Sequence, residues 1–237
     1  MFYRQAGDYK KSYREDIHTF SLKQDRWAYY ILMAVAFLVV PWIINDYWAS
    51  AVLLPFLILS IAALGLNILT GYCGQVSLGT GGFMAVGAYA CYKIMTGFPD
   101  LNIMIVVLLA GLVTALVGLI FGIPSLRIKG FYLAVATLAA QFFLVWLFNK
   151  VPWFYNYSAS GQINSPARAM FGFDITGAEA AAPARYLFCL TLVVLLAWGA
   201  RNLTRGRVGR SWMAIRDMDI AAEIIGCLLY TSDAADE

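Results

Sequence analysis

The segment LNIMIVVLLAGLVTALVGLIFGI, residues 101–123, decides the fold, because none of its side chains carries a charge. A helix needs about 20 predominantly apolar residues to cross the hydrocarbon core of a bilayer, and this segment is long enough. The turn Pro99-Asp100 precedes it and Pro124 follows it. Proline continues a helix only at a cost, so we expect the helix to end at Ile123. The segment predicts a transmembrane helix.

Composition extends this prediction to the rest of the chain. Of 237 residues, 61% are hydrophobic and 13% are charged, whereas soluble domains average roughly 25% charged residues. The apolar residues form continuous blocks rather than amphipathic stripes. The formal net charge of +3 is too small to indicate a nucleic-acid partner. The lipid bilayer is the expected environment.

Further apolar blocks on both sides of residues 101–123 predict an all-α, polytopic transmembrane helical bundle of about six spans. The predicted spans are Trp27–Ile44, Ala49–Leu69, Phe83–Met95, Leu101–Ile123, Phe131–Phe148 and Tyr186–Ala200. Residues 1–26 are polar and are predicted to form an N-terminal tail. Residues 27–226 are assigned to one transmembrane domain, in which the polar segment 151–183 forms a loop outside the membrane.

The positions of the basic residues predict the orientation, because cytoplasmic loops carry an excess of Lys and Arg. With the N-terminus inside, the outer segments hold only Lys150, Arg168 and Arg185, and Lys93 belongs to the third span. The cytoplasmic segments hold 13 of the 17 basic residues: Arg4, Lys10, Lys11, Arg14, Lys23, Arg26, Arg127, Lys129, Arg201, Arg205, Arg207, Arg210 and Arg216. Both ends are therefore predicted to be cytoplasmic, which requires an even number of crossings.

The sequence contains no pattern typical of catalysis, metal binding or nucleotide binding. Its four cysteines, Cys73, Cys91, Cys189 and Cys227, are scattered, and His18 is its one histidine. A zinc site and a disulfide framework are therefore not expected. No glycine is followed directly by lysine, so a phosphate-binding GxxxxGK[ST] loop is missing. We predict no catalytic residue, no metal ligand and no cofactor.

The glycine-rich stretch GLNILTGYCGQVSLGTGGFMAVG, residues 65–87, is a candidate solute pathway. Glycine frees the backbone from helical geometry, and non-helical backbone at membrane depth is tolerated only beside protein or a water-filled cavity. A close-packed helix crossing or an ordinary cytoplasmic turn would explain the glycines equally well. The candidate pathway residues in this stretch are Asn67, Gly71, Gly74, Gln75, Ser77, Gly79 and Thr80.

Two polar residues of the fifth span, Thr137 and Gln141, extend the candidate pathway. They lie four residues apart and therefore share one face of a helix. A glutamine within the membrane is costly unless it is paired, so it is expected to face the bundle interior or a cavity. Bonding between helices and contact with a solute both remain open. No Asp or Glu lies in the middle of a span, which argues against a proton-relay carrier.

The cytoplasmic segment after the sixth span is predicted to contain a short amphipathic helix. From Arg210 onward, Trp212, Ile215 and Met218 share one side, and Arg216 lies elsewhere on the helix. Such a helix can insert an apolar ridge into a groove of a soluble partner. Alternatively, the segment is a basic loop that only sets the topology and contacts lipid headgroups.

Three pieces of the chain resemble the permease subunits of ABC importers for branched-chain amino acids, in particular the LivM type. They are GLNILTGYCGQVSLGTGGFMAVGAYA (65–90), PSLRIKGFYLAVATLAAQ (124–141) and GRVGRSWMAIRDMDIAAEIIG (206–226). With the spans between them, the resemblance covers roughly residues 28–226. It implies a multi-pass permease of the bacterial inner membrane that imports Leu, Ile or Val by alternating access.

The resemblance also implies the partners: a second homologous permease subunit, two cytoplasmic ATPase subunits and a periplasmic solute-binding protein. It identifies residues 201–226 as the ATPase-docking loop, although Ile220 stands where the EAA-type motif has Glu. The docking residues that it implies are Gly209, Arg210, Trp212, Ala214, Arg216, Ala221, Ala222 and Gly226. Urea, amides or other small solutes are alternative cargoes, and a stand-alone secondary transporter is the less favoured alternative.

The C-terminal end departs from the family pattern. Members of this family continue beyond Gly226 into further membrane helices, whereas this sequence ends CLLYTSDAADE, residues 227–237. That ending resembles adaptor read-through in translated sequence data. We therefore expect residues 227–237 to be a non-native tail and the transmembrane domain to be incomplete.

Overall fold

A computed structural model describes residues 23–126, 131–158, 163–170, 173–177 and 180–218. The chain divides into two compact units, Met1–Ile44 and Asn45–Glu237. The described part of the first unit is a single helix, α1. It runs without a break through Lys23–Ala34, a π-helical turn at Val35–Val39, and Val40–Ile43.

The second unit begins with helix α2, which has four consecutive segments: Asp46–Trp48, Ala49–Leu53, Leu54–Asn67 and Ile68–Tyr72. The second and fourth segments are π-helical. The first of these π turns leads into Pro55, as the one in α1 leads into Pro41. A proline ring clashes with the carbonyl four residues earlier, and a wider turn relieves that clash without ending the helix.

Three helices follow α2: α3 at Thr80–Gly97, α4 at Ile103–Leu126 and α5 at Phe131–Lys150. They pack against one another around a core of Val86, Leu144 and Phe148. The Tyr89 and Phe148 rings stack with their centroids 4.3 Å apart. At the crossing of α3 and α4, a Cβ at Gly87 would lie 3.2 Å from Thr114 Oγ1, so the missing side chain lets these helices approach closely.

The segment after α5 forms a turn at 152–157 and a short antiparallel sheet. Its strands are β1, Arg168–Met170, and β2, Phe173–Thr176, and an irregularity in register lies between Arg168 and Ala169. Helix α6, Ala182–Arg205, then packs along α2, and helix α7, Arg207–Asp217, packs against the end of α6. The described residues are thus mostly helical, as the sequence predicts.

Within the described residues, five helical segments are long and apolar enough to cross a membrane: Gln24–Ile43, Asp46–Tyr72, Ile103–Ile123, Tyr132–Lys150 and Ala182–Arg205. They correspond to five of the six predicted spans. The remaining prediction, Phe83–Met95, lies within α3, an 18-residue helix that is not among the five. Its six glycines and threonines make α3 the least apolar of these helices and suit it to close packing inside the unit rather than to contact with lipid.

Several helix ends differ by a few residues from the approximate predicted boundaries. Helix α4 does not end at Ile123 but continues through Pro124 to Leu126, because a proline removes one hydrogen bond without unwinding the backbone immediately. Helix α1 starts at Lys23, inside the predicted tail. Helix α7 starts at Arg207 rather than Arg210, and it ends at Asp217. Met218 adopts an extended conformation after it, outside the predicted apolar face.

Candidate functional site

The loop 73–79 between α2 and α3 is the non-helical part of the glycine-rich stretch. Its residue Gly74 has φ +69, in the left-handed region that side chains with a Cβ rarely adopt. The backbone N–H of Gln75 donates to the Leu69 carbonyl at 3.1 Å, so the loop turns back on the last turn of α2. Burial raises the pKa of the Cys73 thiol above its ordinary value. The loop is therefore ordered and partly covered by its neighbours.

Further along, the loop contacts α5. The backbone N–H of Leu78 donates to Thr137 Oγ1 at 3.0 Å, and that hydroxyl in turn donates to the Ala134 carbonyl at 2.9 Å. A Cβ at Gly79 would lie 2.8 Å from the carbonyl oxygen of Thr137. Thr137 thus satisfies a backbone donor of the loop, and the missing side chain of Gly79 lets the loop reach it.

A cavity of about 250 Å³ lies between this loop and helices α2, α3, α4 and α5. Its polar side chains are those of Gln75, Ser77 and Thr137, three of the predicted pathway residues. They are neutral hydrogen-bonding groups. The rest of its lining is apolar or glycine: Leu69, Phe83, Gly118, Leu119, Phe121, Gly122, Ile123, Leu133, Ala136 and Ala140. A mostly apolar cavity with a few convergent polar groups is typical of a small-molecule site.

The other predicted pathway residues lie beside the cavity rather than in its lining. Gln141 packs on the start of α3, where a Cβ at Gly82 would lie 3.0 Å from Gln141 Cα. Asn67 is exposed on α2, and its Oδ1 would be 3.1 Å from a Cβ at Gly71. Thr80 is the first residue of α3 and is half-buried. These residues shape the walls around the loop.

At the other predicted site, the first residues of α7 fold back on α6. Gly209 is buried, and a Cβ there would overlap the backbone of Thr204 in the last turn of α6. Any larger residue would push the two helices apart. Arg210 is exposed, whereas Trp212 and Ala214 are half-buried. Ala221, Ala222 and Gly226, also predicted to dock the ATPase, lie outside the described residues.

Arg216 brings the two predicted sites together. Its Nη1 donates to the carbonyl of Gly71, and its side-chain stem covers Gly74, where a Cβ would lie only 2.5 Å from Arg216 Cγ. Its Nε and Nη2 also lie 2.8 Å from Asp217 Oδ1. Helix α7 therefore contacts the loop that lines the cavity, although the two segments are more than 140 residues apart in the chain.

Sequence reasoning missed the apolar half of the cavity and the Arg216 contact. One signal was present: Gly118 and Gly122 form a GxxxG pair in α4, typical of close approach between membrane helices. Both residues line the cavity, and a Cβ at either would meet no atom within 4 Å. The pair therefore leaves open space instead of bringing in a neighbouring helix. Nothing in the sequence pointed from Arg216 to Gly71.

Comparisons with known proteins identify a family for this chain. The profile of a family described as "Branched-chain amino acid transport system / permease component" matches residues 48–230. The chain is 32% identical over 186 residues to the high-affinity branched-chain amino acid transport system permease protein LivM of Salmonella typhimurium, and 31% identical over 184 residues to LivM of Escherichia coli. Each match covers 70% of this chain and 43% of the relative. No solved structure matches significantly.

Proposed function

Because this chain belongs to the family of permease components of branched-chain amino acid transport systems, we propose that it forms part of the path of an ATP-driven importer. It is a multi-pass membrane protein of a transport family. It spans less than half the length of the relatives it matches, so its cargo, partners and mechanism belong to the proposal. The proposed cargo is Leu, Ile and Val, and the proposed location is the bacterial inner membrane, with both ends of the chain cytoplasmic.

The observation that carries the proposal is the contact of α7 with the wall of the cavity. Arg216 lies over Gly74 and donates to Gly71, and the same loop continues to Gln75 and Ser77, which line the cavity. A movement of α7 would therefore reach the cavity wall through one short segment. ATPase closure can bias alternating access only if some contact differs between the two states. The Arg216 contact is a candidate for that difference.

The cavity lining supports an apolar, uncharged passage. Among the described residues that line it, none is acidic or basic, so a zwitterion passing them meets hydrogen-bonding groups without being held by a full charge. The apolar surface of Leu69, Phe83 and Phe121 suits a branched aliphatic side chain. Gln75, Ser77 and Thr137 are proposed to contact the solute, while Asn67, Gly71, Gly74, Gly79, Thr80 and Gln141 position them.

The proposed partners follow the family. A second permease completes the path, one of two cytoplasmic ATPases docks on α7 and the residues after it, and a periplasmic binding protein delivers the amino acid. Arg210, Trp212 and Ala214 are proposed docking contacts together with Ala221, Ala222 and Gly226. The missing side chain of Gly209 lets α7 pack closely on α6, so that a movement of α7 on docking would also move α6. Hydrolysis of ATP takes place on the ATPases.

The test is uptake of radiolabelled leucine by an Escherichia coli strain that lacks LivM and expresses this chain. We expect uptake above the empty-vector strain, loss of uptake when arsenate depletes ATP, and persistence when an uncoupler collapses the proton gradient. Excess unlabelled isoleucine and valine should compete, and urea should not. Uptake abolished by the uncoupler at normal ATP levels would instead indicate a secondary carrier. Uptake at the empty-vector level would overturn the proposal.

A further inference from the structure

A second, more polar cavity lies at the opposite end of α2 from the one described above. Its volume is about 410 Å³, within the range of small-molecule sites. It lies between the first turns of α2 and the start of α6. Its lining residues are Asp46, Ala49, Ser50, Leu54, Ala180, Ala181, Ala182 and Arg185. We call it the outer pocket, because the distribution of basic residues predicts that this end of both helices faces outward.

Arg185 is held in place at the outer pocket with part of its hydrogen-bonding capacity unused. Its Nε and Nη2 both donate to the Ala180 carbonyl, at 3.1 and 2.6 Å. These bonds fix the plane of the guanidinium group. A guanidinium has five N–H donors, and the remaining ones have no partner among the described residues. Arg185 is therefore a pre-oriented cation with donors available to a ligand.

Asp46 supplies the opposite charge on the other wall. It lies in the first turn of α2, and no described side chain pairs with its carboxylate. Ser50 Oγ donates to the backbone carbonyl of Asp46 at 2.7 Å and leaves the carboxylate untouched. The described ion pair of this unit is the one between Arg216 and Asp217. Asp46 and Arg185 thus line one pocket without neutralising each other.

The remaining lining of the outer pocket is small or aliphatic. Ala49, Ala180 and Ala182 are almost completely buried, with 1%, 4% and 4% of their surface exposed. Larger residues at these positions would fill the pocket. Leu54 adds an apolar side chain about two turns along α2 from Asp46. The outer pocket therefore offers an anion, a cation and a short apolar wall.

We propose that the outer pocket binds a free zwitterionic amino acid, with its ammonium group at Asp46, its carboxylate at Arg185 and its aliphatic side chain toward Leu54. This proposal rests on the proposed function and names the first site on this subunit that the solute occupies. Charge-assisted hydrogen bonds at both ends of the ligand are the strongest polar contacts open to such a solute. Urea and simple amides carry neither charge and gain neither contact.

The geometry of α2 places this site and the cavity lined by Gln75, Ser77 and Thr137 at opposite ends of one helix. Asp46 and Leu69 are 23 residues apart on α2, which corresponds to roughly 35 Å along a helix. That length is close to the thickness of a hydrocarbon core, roughly 30 Å. The outer pocket carries charges that recognise the head group, whereas the described residues that line the cavity beside the loop 73–79 carry none. A solute would be selected by its charges at one end and pass a neutral lining at the other.

The test is direct binding of radiolabelled leucine to the purified full chain in detergent, without binding protein or ATP. The variants are D46N, which removes a charge with little change in size, and R185Q, which removes a charge and shortens the side chain. R185K serves as a second Arg185 variant that keeps the charge. The matched control is D100N, which removes an exposed carboxylate from the turn before α4, outside the pocket. Leucinamide and 4-methylpentanoate, which lack one charge each, serve as competitors.

We expect D46N and R185Q to weaken leucine binding about tenfold or more, as loss of one charge-assisted hydrogen bond implies. D100N should bind like the unmodified chain. Leucinamide and 4-methylpentanoate should compete at least tenfold less well than unlabelled leucine. Equal leucine affinity in D46N and D100N would overturn the proposal that the outer pocket binds the amino acid, even if the uptake assay succeeds. If the unmodified chain binds leucine but gives no uptake, the pocket stands and the proposed transport function fails.

Discussion

The two ends of α3 are held in different ways. At its N-terminal end, Gly79, Gly81 and Gly82 lie against α5, where added Cβ atoms would come within 2.8 to 3.4 Å of Thr137 and Gln141. At its C-terminal end, long polar side chains make the contacts. Lys93 Nζ donates to Asn156 Oδ1 and lies 4.3 Å from the centre of the Trp153 ring. Arg168 Nη2 donates to the carbonyls of Met95 and Phe98 at 2.6 and 3.2 Å.

This difference shows how one helix can border a cavity at one end and be held by side-chain hydrogen bonds at the other. The N-terminal end depends on missing side chains, so the backbone of the loop approaches α5 and leaves room for the cavity beside it. The C-terminal end depends on cations: Arg168 donates to backbone carbonyls there, where a helix dipole favours positive charge, and Lys93 contacts the Asn156 and Trp153 side chains. Three basic residues outside the predicted cytoplasmic segments donate hydrogen bonds within the protein: Lys93, Arg168 and Arg185.

The largest expected effect comes from adding one methyl group at the N-terminal end. Gly79→Ala would place a Cβ 2.8 Å from a backbone carbonyl, which cannot move without shifting α5. Forced overpacking of this kind costs about 1–3 kcal/mol. We expect a lower apparent Tm and less folded protein by size-exclusion chromatography in detergent. The matched control is Gly97→Ala at the other end of α3, where a Cβ meets nothing within 4 Å. An equal apparent Tm and an equal amount of folded protein for the two variants would contradict the close approach of Gly79 to α5.

A smaller effect is expected from removing the cation at the C-terminal end. Arg168→Met keeps an apolar stem but removes the donor to the carbonyls of Met95 and Phe98; because these contacts are part-buried and exposed, water can replace the donor, and the expected cost is about 0.5–1.5 kcal/mol. Arg168→Lys retains the charge and should lose less. Thermal unfolding of the two variants in detergent measures the difference. An Arg168→Met protein as stable as the Arg168→Lys protein would show that these hydrogen bonds do not hold α3.

A substitution at the contact between α7 and the loop 73–79 should change the Tm by a still smaller amount, and the change should depend on Arg216. Gly74→Asn introduces a residue that tolerates the positive φ of this position. Its Cβ, however, would overlap Arg216 Cγ. We expect a reduced Tm for Gly74→Asn and at least partial recovery in the double variant Gly74→Asn/Arg216→Ala. A double variant whose loss equals the sum of the two single losses would mean that Arg216 does not cover Gly74.

The smallest effect concerns the pH dependence of Cys73 labelling. Only the thiolate reacts with maleimide, and burial raises the pKa of this thiol. At a given pH the thiolate fraction is therefore lower than in an exposed thiol, and the labelling rate should reach half its maximum at a higher pH. A chain with Ala at positions 91, 189 and 227 reports Cys73 alone, with free cysteine as the reference. A profile that overlays the reference would indicate an open loop.

The sequence was sufficient to predict the helices but not the contacts between their ends. Apolar blocks such as residues 101–123 are long enough to require a helix across the membrane, so the architecture follows from length and charge. The glycine-rich stretch correctly marked a site of close approach, although only residues 73–79 leave helical geometry. Gln75, Ser77 and Thr137 line the cavity, whereas Gln141 packs between helices, and the predicted contact of these residues with a solute stays a prediction.

The remaining contacts join residues that are far apart in the chain, and for that reason the sequence could not reveal them. Arg216 reaches Gly71, and Arg168 reaches Met95, across separations of 145 and 73 residues. In the sequence both arginines are merely basic residues in polar segments. Their partners are backbone carbonyls, which every residue carries and which leave no pattern in the side chains. Only the folded arrangement of α3, α7 and β1 identifies these partners.

The central claim is that the cavity beside the loop is part of the path of a transported amino acid. It is tested most directly by filling the cavity. Ala136 lines it, whereas Ala139, three residues later on α5, is exposed. In the strain lacking LivM, at matched amounts of chain in the membrane, we predict that Ala136→Trp abolishes leucine uptake and that Ala139→Trp preserves it. Equal uptake through the two variants would contradict the claim.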